Sequence, residues 1–435
     1  MDASLLSLLM FVVLFAALGL GLHISFSLLA TGFGFAYFLW GGPGMNTVVL
    51  AVWGMMNNFP LIAIPLFIFM AMMLEKSDLI GDIYDCFYKW SGALRGGLAI
   101  ATIFVGALIG AVSGVVAAGV IGLGVIAQPQ MARFKYNQGV NLGSIVAGGT
   151  LGQIIPPSLV MIVYSAVTGQ SVGKLFAAGV SAGLLLVGLF IGYILIRSYL
   201  QKDFCPPLPV AERVGWAEKF AALRVLILPM MLIVATVGSI LTGLATPTEG
   251  AGVGAFGAIL FSMVTGRFKI SVLKDSMIET LKVSSMIAWI IGGASAFSAV
   301  FAAIGGNRVV VNIAMNMPGG EWGVLLAAIA FIFILGMFLE TIAIIMLAAP
   351  ILSPIIVQMG FDPLWWGIIF MTLLQAAYIT PPFGVALFYL KGVTPPHIRL
   401  TDIYWASLPF IALQLLAVGL MILFPILGLW LPGML

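Results

Sequence analysis

Ionisable side chains are scarce in this sequence. Asp, Glu, Lys and Arg make up 8% of 435 residues, and histidine occurs twice, at His23 and His397. Soluble domains carry about 25% charged residues, so that class is excluded. Cysteine also occurs twice, at Cys86 and Cys205, with no CxxC spacing. That leaves no disulfide framework and no thiolate metal motif. No HExxH, GxSxG or Walker loop is present. Ser113 and Ser158 have no histidine, lysine or aspartate in their own segments, so the base that a serine nucleophile needs is missing. Catalysis is not expected. The alternating pattern of a membrane β-barrel is missing too.

What the chain has is length in apolar residues. It is 62% hydrophobic with a mean hydropathy of +1.19, and runs of about 20 apolar residues recur along it. The fold expected is an all-α polytopic membrane protein. Asp2 precedes an apolar run from Leu5 to Leu22 with no basic region before it, so a first span is expected there rather than a cleaved leader. Spans are expected at 4–22, 24–40 and 48–74, the last kinked by Pro60 and Pro65, and then at 175–197, 222–243, 248–265, 284–305 and 405–431.

Two stretches break the rule that a span is one continuous helix. Ile155-Pro156-Pro157-Ser158 interrupts an apolar segment at 141–170, and Thr380-Pro381-Pro382-Phe383-Gly384 interrupts another at 364–392. Proline removes a backbone donor and pushes its predecessor out of the helical region. At membrane depth such a break is tolerated only where the freed backbone is buried in protein or lines a cavity. The two prolines are 225 positions apart, and so are Tyr164 and Tyr389, Pro129 and Pro354, and Ile126 and Ile351; Gly110 and Gly336 differ by 226. Several matches at one offset indicate a duplicated unit. Paired, interrupted segments in two halves point to a transporter binding site.

Each broken segment follows a divided one. Gly110-Ala-Val-Ser-Gly114 splits 97–127, and Gly336 through Thr341 splits 321–357. Both are expected as re-entrant helical hairpins. Charge tests this. With both segments re-entrant, sixteen of the eighteen Lys and Arg residues fall on one side, leaving only Lys174 and Arg308 outside. That is the positive-inside pattern, and it gives the two repeats opposite orientation. Counting both as full spans would move Arg133, Lys135, Arg197 to Arg224 and Arg267 to Lys282 to the outer side. About ten transmembrane helices plus two hairpins, in two inverted repeats, result. Residues 1–47 form N-terminal scaffold helices, 48–197 the first repeat, 198–220 a polar cytoplasmic linker with Pro206, Pro207 and Pro209, and 221–435 the second repeat with the last helix. Leu79, Ile83, Phe87 and Trp90 make 75–95 an amphipathic arm at the interface, and 268–282 is expected as its counterpart.

The polar groups at membrane depth suit ions. Carbonyl oxygens freed at Ile155, Pro156, Thr380 and Pro381, with hydroxyls of Ser113, Ser158 and Thr380, are hard ligands of the kind that hold Na⁺ in transporters. The half-helix N-termini after each break carry partial positive charge and attract a carboxylate. Glu340 is a carboxylate between apolar runs, which balances a cation or bonds the hairpin's free backbone. Arg308, on the outer side, faces anionic cargo or is an ordinary interfacial arginine; Glu249 reads as a helix cap.

At these residues the chain resembles a known family. Gly148-Gly149-Thr150-Leu151-Gly152-Gln153-Ile154-Ile155-Pro156-Pro157-Ser158, then Ser171-Val172-Gly173-Lys174-Leu175-Phe176, Gly336 through Thr341, and Thr380-Pro381-Pro382 look like the large membrane subunit of TRAP (tripartite ATP-independent periplasmic) transporters. The first hairpin tip reads Ser113-Gly114-Val115 where that family usually has a second serine. The resemblance implies a Na⁺-driven importer of organic acids in a bacterial inner membrane, moving two or more Na⁺ by an elevator mechanism on an ion-transporter-superfamily-like fold. It also implies a small four-helix membrane subunit and a periplasmic substrate-binding protein as partners, and no nucleic acid. The candidate cation set is then Ser113, Gly149, Gly152, Ile155, Pro156, Gly336, Glu340, Thr380 and Pro381, and the candidate cargo set Ser113, Ser158, Gly384 and Arg308. Two rivals stay open: a stand-alone carboxylate transporter coupled to protons or Na⁺, and a channel-like pore.

Overall fold

The computed structural model describes residues 2–435, with the side chain of Ser113 outside the described residues. Among the described residues there are helices and no strands. The chain begins with α1 (Ala3–Gly19) and α2 (Ile24–Met56). Gly41 takes a non-helical conformation inside α2 (φ 62°, ψ −141°), and Pro43 stands two residues on. A proline in the first turn of a renewed helix breaks no hydrogen bond, so the chain bends there and does not stop. The stretch expected as two spans, 24–40 and the start of 48–74, is therefore one kinked helix. It ends at Asn57-Asn58, and Pro60 and Pro65 open the following short turn and α3 (Ala63–Glu75) rather than kinking a span.

α3 turns by 62° into α4 (Leu79–Ser91). Leu79 and Ile83 are buried on its apolar face. The first hairpin is α5 (Gly97–Ser113) and α6 (Val116–Arg133), joined at Gly114, whose φ of +60° suits a residue without Cβ. α7 (Gln138–Thr150) and α8 (Leu159–Thr168) are the two halves of the first broken helix, and α9 (Val172–Leu200) closes the repeat.

The linker leads through α10 (Trp216–Ala222) to α11 (Arg224–Ile233) and, past a π turn, α12 (Ser239–Leu241). α13 (Pro247–Val264) starts with a capping box between Thr246 and Glu249, the cap expected of that glutamate. α14 (Ile270–Ala303) is 34 residues long. The amphipathic stretch 268–282 is thus not a separate arm: no Gly or Pro occurs between Ile270 and Ile291, so the helix continues from polar to apolar sequence without a stop. α15 (Gly306–Met315) is the short amphipathic helix preceding the second hairpin, as α4 precedes the first. That hairpin is α16 (Gly320–Gly336) and α17 (Thr341–Gln358). α18 (Pro363–Tyr378) and α19 (Val385–Val393) are the second broken helix, followed by α20 (Leu400–Leu423) and α21 (Ile426–Leu429).

The repeat is visible in the boundaries. α6 and α17 start at 116 and 341 and end at 133 and 358, each pair 225 apart; α7 and α18 start at 138 and 363. By length and composition six helices can cross a membrane, or seven if the bent pair 59–91 counts as one span. The shorter apolar helices are α1, α5, α8, α16 and α18; α5 and α16 belong to the hairpins, and α8 and α18 are halves of the broken helices.

The broken helices form the centre. Every residue of α7 from Val140 to Thr150, and of α18 from Trp365 to Tyr378, is buried. Small residues let the backbones around them approach. A Cβ on Gly110 would stand 2.6 Å from Gly152 Cα, and one on Gly119 2.7 Å from the Gly149 carbonyl oxygen. One on Gly336 would overlap Ala377 Cβ. The pair Gly110–Gly152 in the first repeat thus has its counterpart in Gly336–Ala377. Outside this centre α2 and α14 pack together, with Gly32 against Ala296 and Gly293 against Ser25.

On the side to which the charge count assigns the cytoplasm, the linker straps several elements together. Glu212 accepts from Arg133 (2.8 Å) and from the Tyr88 hydroxyl (3.1 Å). Gly96 N–H donates to Cys205 O (3.1 Å), Asn137 N–H to Phe204 O (2.9 Å), and Trp90 Nε1–H to Lys219 O (3.0 Å). Arg267 closes a bidentate pair with Asp82 at 2.6 and 3.1 Å.

Candidate functional site

At the first break α7 tightens into a short 3₁₀ turn, Leu151–Gln153, and the chain then turns and bends through 154–157 to Ser158, whose backbone is extended. The Pro156–Pro157 bond is cis, as is Pro381–Pro382. Ser158 caps α8: its Oγ accepts from Met161 N–H (3.4 Å) and donates to the carbonyl of Gln153 (2.5 Å). The hydroxyl proton that a carboxylate would take is already engaged, so Ser158 offers the interior a lone pair. Among the described residues the carbonyls of Gly152, Ile155 and Pro156 accept no hydrogen bond. Gly149 is held against Gly119 and Val120 of α6.

The second break repeats this chemistry. Thr380 Oγ1 donates to Ala376 O (2.7 Å), and the Thr380 carbonyl accepts from Gly384 N–H (3.0 Å), which precedes α19. The carbonyls of Pro381 and of Gly336, the last residue of α16, accept no hydrogen bond among the described residues. Glu340 caps α17, its carboxylate taking the N–H groups of Ile342 (2.9 Å) and Ala343 (3.4 Å). Bonding the hairpin's free backbone is one of the two roles expected for this residue. Phe338 and Phe383, both exposed, face each other at 5.6 Å between hairpin tip and break.

The two centres meet. Gln153 Nε2–H donates to Thr341 Oγ1 at 3.2 Å, bridging the first break to the residue after Glu340. Gln153 is 4% exposed, and its Oε1 has no partner. Neither residue stood among the sequence candidates, although a lone polar side chain between Gly152 and Ile154 was a signal. Tyr164 of α8 bonds Ser353 of α17 (3.2 Å), and Trp366 of α18 donates to the same hydroxyl (3.2 Å).

Not every candidate joins this cluster. Arg308 lies on α15, in a cavity of about 490 Å³ lined also by Asp2, Ser4, Asn307 and Asn312, which shares no residue with either break. The backbone of Ser113 ends α5 beside Gly114, and a Cβ on Gly114 would stand 2.5 Å from Pro157 O. A second cavity, of about 390 Å³ and lined by apolar side chains, separates α1 and α15 from the second hairpin. Among the described residues no group of three or more His, Cys, Asp or Glu side chains comes together. The oxygens available are carbonyls and hydroxyls, a donor set for a hard cation, not a transition metal.

Comparison with known proteins agrees with this architecture. The family model described as the tripartite ATP-independent periplasmic transporter, DctM component, matches residues 11–427. The C4-dicarboxylate TRAP transporter large permease protein of Pseudomonas aeruginosa is 32% identical over 396 residues, 91% of each chain. The ectoine TRAP transporter large permease protein of Halomonas elongata is 30% identical over 408 residues, again 91% of each chain. The sialic acid TRAP transporter large permease protein of Vibrio cholerae is 28% identical over 418 residues, 93% of this chain and 95% of that one. Among solved structures, the YdaH transporter of Alcanivorax borkumensis superposes with a TM-score of 0.65 at 14% identity, covering 90% of each chain. MtrF of Neisseria gonorrhoeae gives 0.60 at 14% identity, over 90% of this chain and 85% of that one. At those identities the likeness is one of fold. Two proline breaks, two hairpins and a match to the family model over nearly the whole length lead to one conclusion: this chain is a multi-pass membrane protein belonging to the DctM family, the large permease subunits of the TRAP transporters.

Proposed function

We propose that this chain is the cargo-carrying subunit of a Na⁺-coupled importer of organic acids in a bacterial inner membrane. The observation that carries the proposal is the junction at Gln153 and Thr341, where the buried first break meets the tip of the second hairpin, with main-chain oxygens left over for a cation on each side. Na⁺ bound in each break, at Gly152, Ile155 and Pro156 and at Gly336, Thr380 and Pro381, replaces hydration oxygens with carbonyls. It also neutralises the charge that a carboxylate brings to membrane depth. Cargo then binds between the repeats, where transporters of this kind place it. Ser158 belongs to the cation side of this arrangement because its proton is engaged.

The hairpins and broken helices move as one body against a scaffold containing α2 and α14, in an elevator motion. A small four-helix membrane subunit completes that scaffold, and a periplasmic binding protein delivers cargo. The C4-dicarboxylate, ectoine and sialic acid named for relatives support small carboxylates as the cargo class.

The test is reconstitution with the small subunit and the binding protein in liposomes, followed by uptake of an organic-acid panel with and without an inward Na⁺ gradient. Accumulation against a concentration gradient only when Na⁺ is higher outside is the expected result. Equal uptake with a proton gradient alone, or downhill flux without the binding protein, overturns it in favour of a proton-coupled carrier or a pore.

A further inference from the structure

The Gln153 side chain is left half-used. Its Nε2–H is engaged by Thr341 Oγ1, and its backbone carbonyl is taken by Ser158. Its Oε1 points to no donor although the residue is 4% exposed. A buried acceptor without a partner carries its full desolvation penalty, and native structures keep such groups for a reason. The position is specific. The side chain does not turn back toward the unclaimed carbonyls of its own break; it reaches across to the hydroxyl of Thr341 in the other repeat, 188 residues on. Ions in such folds are held by unwound backbone within the half-helices, whereas the solute sits at the interface of the repeats. Oε1 is therefore placed for the solute.

An amide oxygen accepts and cannot donate. It repels a carboxylate oxygen and attracts a hydroxyl or an N–H. We propose that Gln153 Oε1 reads a hydrogen-bond donor on the carried acid, so that the cargo is a carboxylate bearing a hydroxyl or amino group in addition to its acid group. This rests on the organic-acid reading given above and narrows it. Sites built to bond a polar group reject the analogue lacking it far more strongly than apolar pockets reject an added group.

The experiment uses the reconstituted complex with its binding protein and matched acids that differ by one donor, such as malate against succinate and lactate against propionate. For wild type the expected uptake kcat/KM favours the donor-bearing member at least tenfold. For Gln153→Leu the ratio should fall to within about threefold, through KM of the donor-bearing acid, while the Na⁺ half-saturation moves by less than twofold. The binding protein is the same in both, so its own selectivity cancels. If Gln153→Leu fails to assemble on size-exclusion chromatography, Gln153→Met, which keeps the length of the side chain, carries the same expectation. A variant that retains the preference, or one whose Na⁺ half-saturation rises with cargo affinity unchanged, overturns the assignment. Wild type taking up neither member of any pair, with or without Na⁺, overturns the organic-acid reading and this inference with it.

Discussion

Gln153 and Thr341 are 188 residues apart in the chain and joined by one hydrogen bond of 3.2 Å in the interior. That bond ties the first break to the tip of the second hairpin, so neither repeat's centre shifts without the other. A neutral buried hydrogen bond is worth about 0.5–1.5 kcal/mol net. A double-mutant cycle of Gln153→Leu and Thr341→Val should show a coupling of that size in thermal unfolding of the purified chain. Additivity within about 0.3 kcal/mol would mean that the two repeats do not lean on each other there.

Glu340 caps α17 through two backbone N–H groups. Removing a side-chain cap costs about 0.5–2 kcal/mol. Glu340→Ala should lower the unfolding midpoint more than Glu340→Gln, which keeps a carbonyl acceptor. Glu340→Gln should still raise the Na⁺ half-saturation of uptake, because it removes a negative charge beside the second break. Uptake that loses its pH dependence but keeps its Na⁺ dependence would instead mark Glu340 as a proton carrier.

Orientation is open to direct measurement. Cysteine placed at Lys135 should be labelled by an impermeant maleimide only from the cytoplasm, and cysteine placed at Gly320 only from the periplasm. The native thiols give little background. Cys86 and Cys205 are buried, and burial pushes the Cys205 thiol up to about 11. A raised thiol is protonated and unreactive at pH 7 and reacts only as the pH climbs toward that value. Labelling of both introduced cysteines from one side would exclude the hairpin arrangement.

The close backbone contacts predict a graded response to a single methyl group. Gly110→Ala pushes a Cβ into Gly152 and Gly336→Ala pushes one into Ala377, whereas Gly188 has nothing within 4 Å. Overpacking of this kind costs about 1–3 kcal/mol. The first two variants should lose thermal stability by that amount, and Gly188→Ala should be neutral or slightly stabilising because alanine favours helix. Equal midpoints for all three would mean that the contacts relax freely.

These features were legible in the sequence to unequal degrees. The breaks were plain because a Pro-Pro step constrains its own backbone wherever it stands. The hairpins were plain because Gly110 to Gly114 and Gly336 to Thr341 divide apolar runs and because the basic residues sort to one side. The continuity of α14 is not legible, because the switch from Lys282 to the apolar run changes polarity, and polarity does not end a helix. α15 is hard to read because ten mixed residues resemble a loop, although the repeat offset points near 304–316. Gln153 was missed for a different reason. Its partner is Thr341, and no local pattern shows which of many distant hydroxyls a buried amide will meet.

α14 also has a mechanical consequence. At about 1.5 Å per residue its 34 residues extend roughly 51 Å, while the hydrocarbon of a bilayer is about 30 Å thick. Lys274, Asp275, Glu279 and Lys282 keep its first half out of the oil. The remaining apolar half, paired along its length with α2, is a stiff strut that cannot shorten. A thinner or thicker membrane must therefore tilt the strut or deform around it, and the second hairpin, whose α17 packs against α14, inherits that tilt. Transport rate should accordingly pass through a maximum as the acyl chains of the host liposome are lengthened, with the cargo and the ions left unchanged.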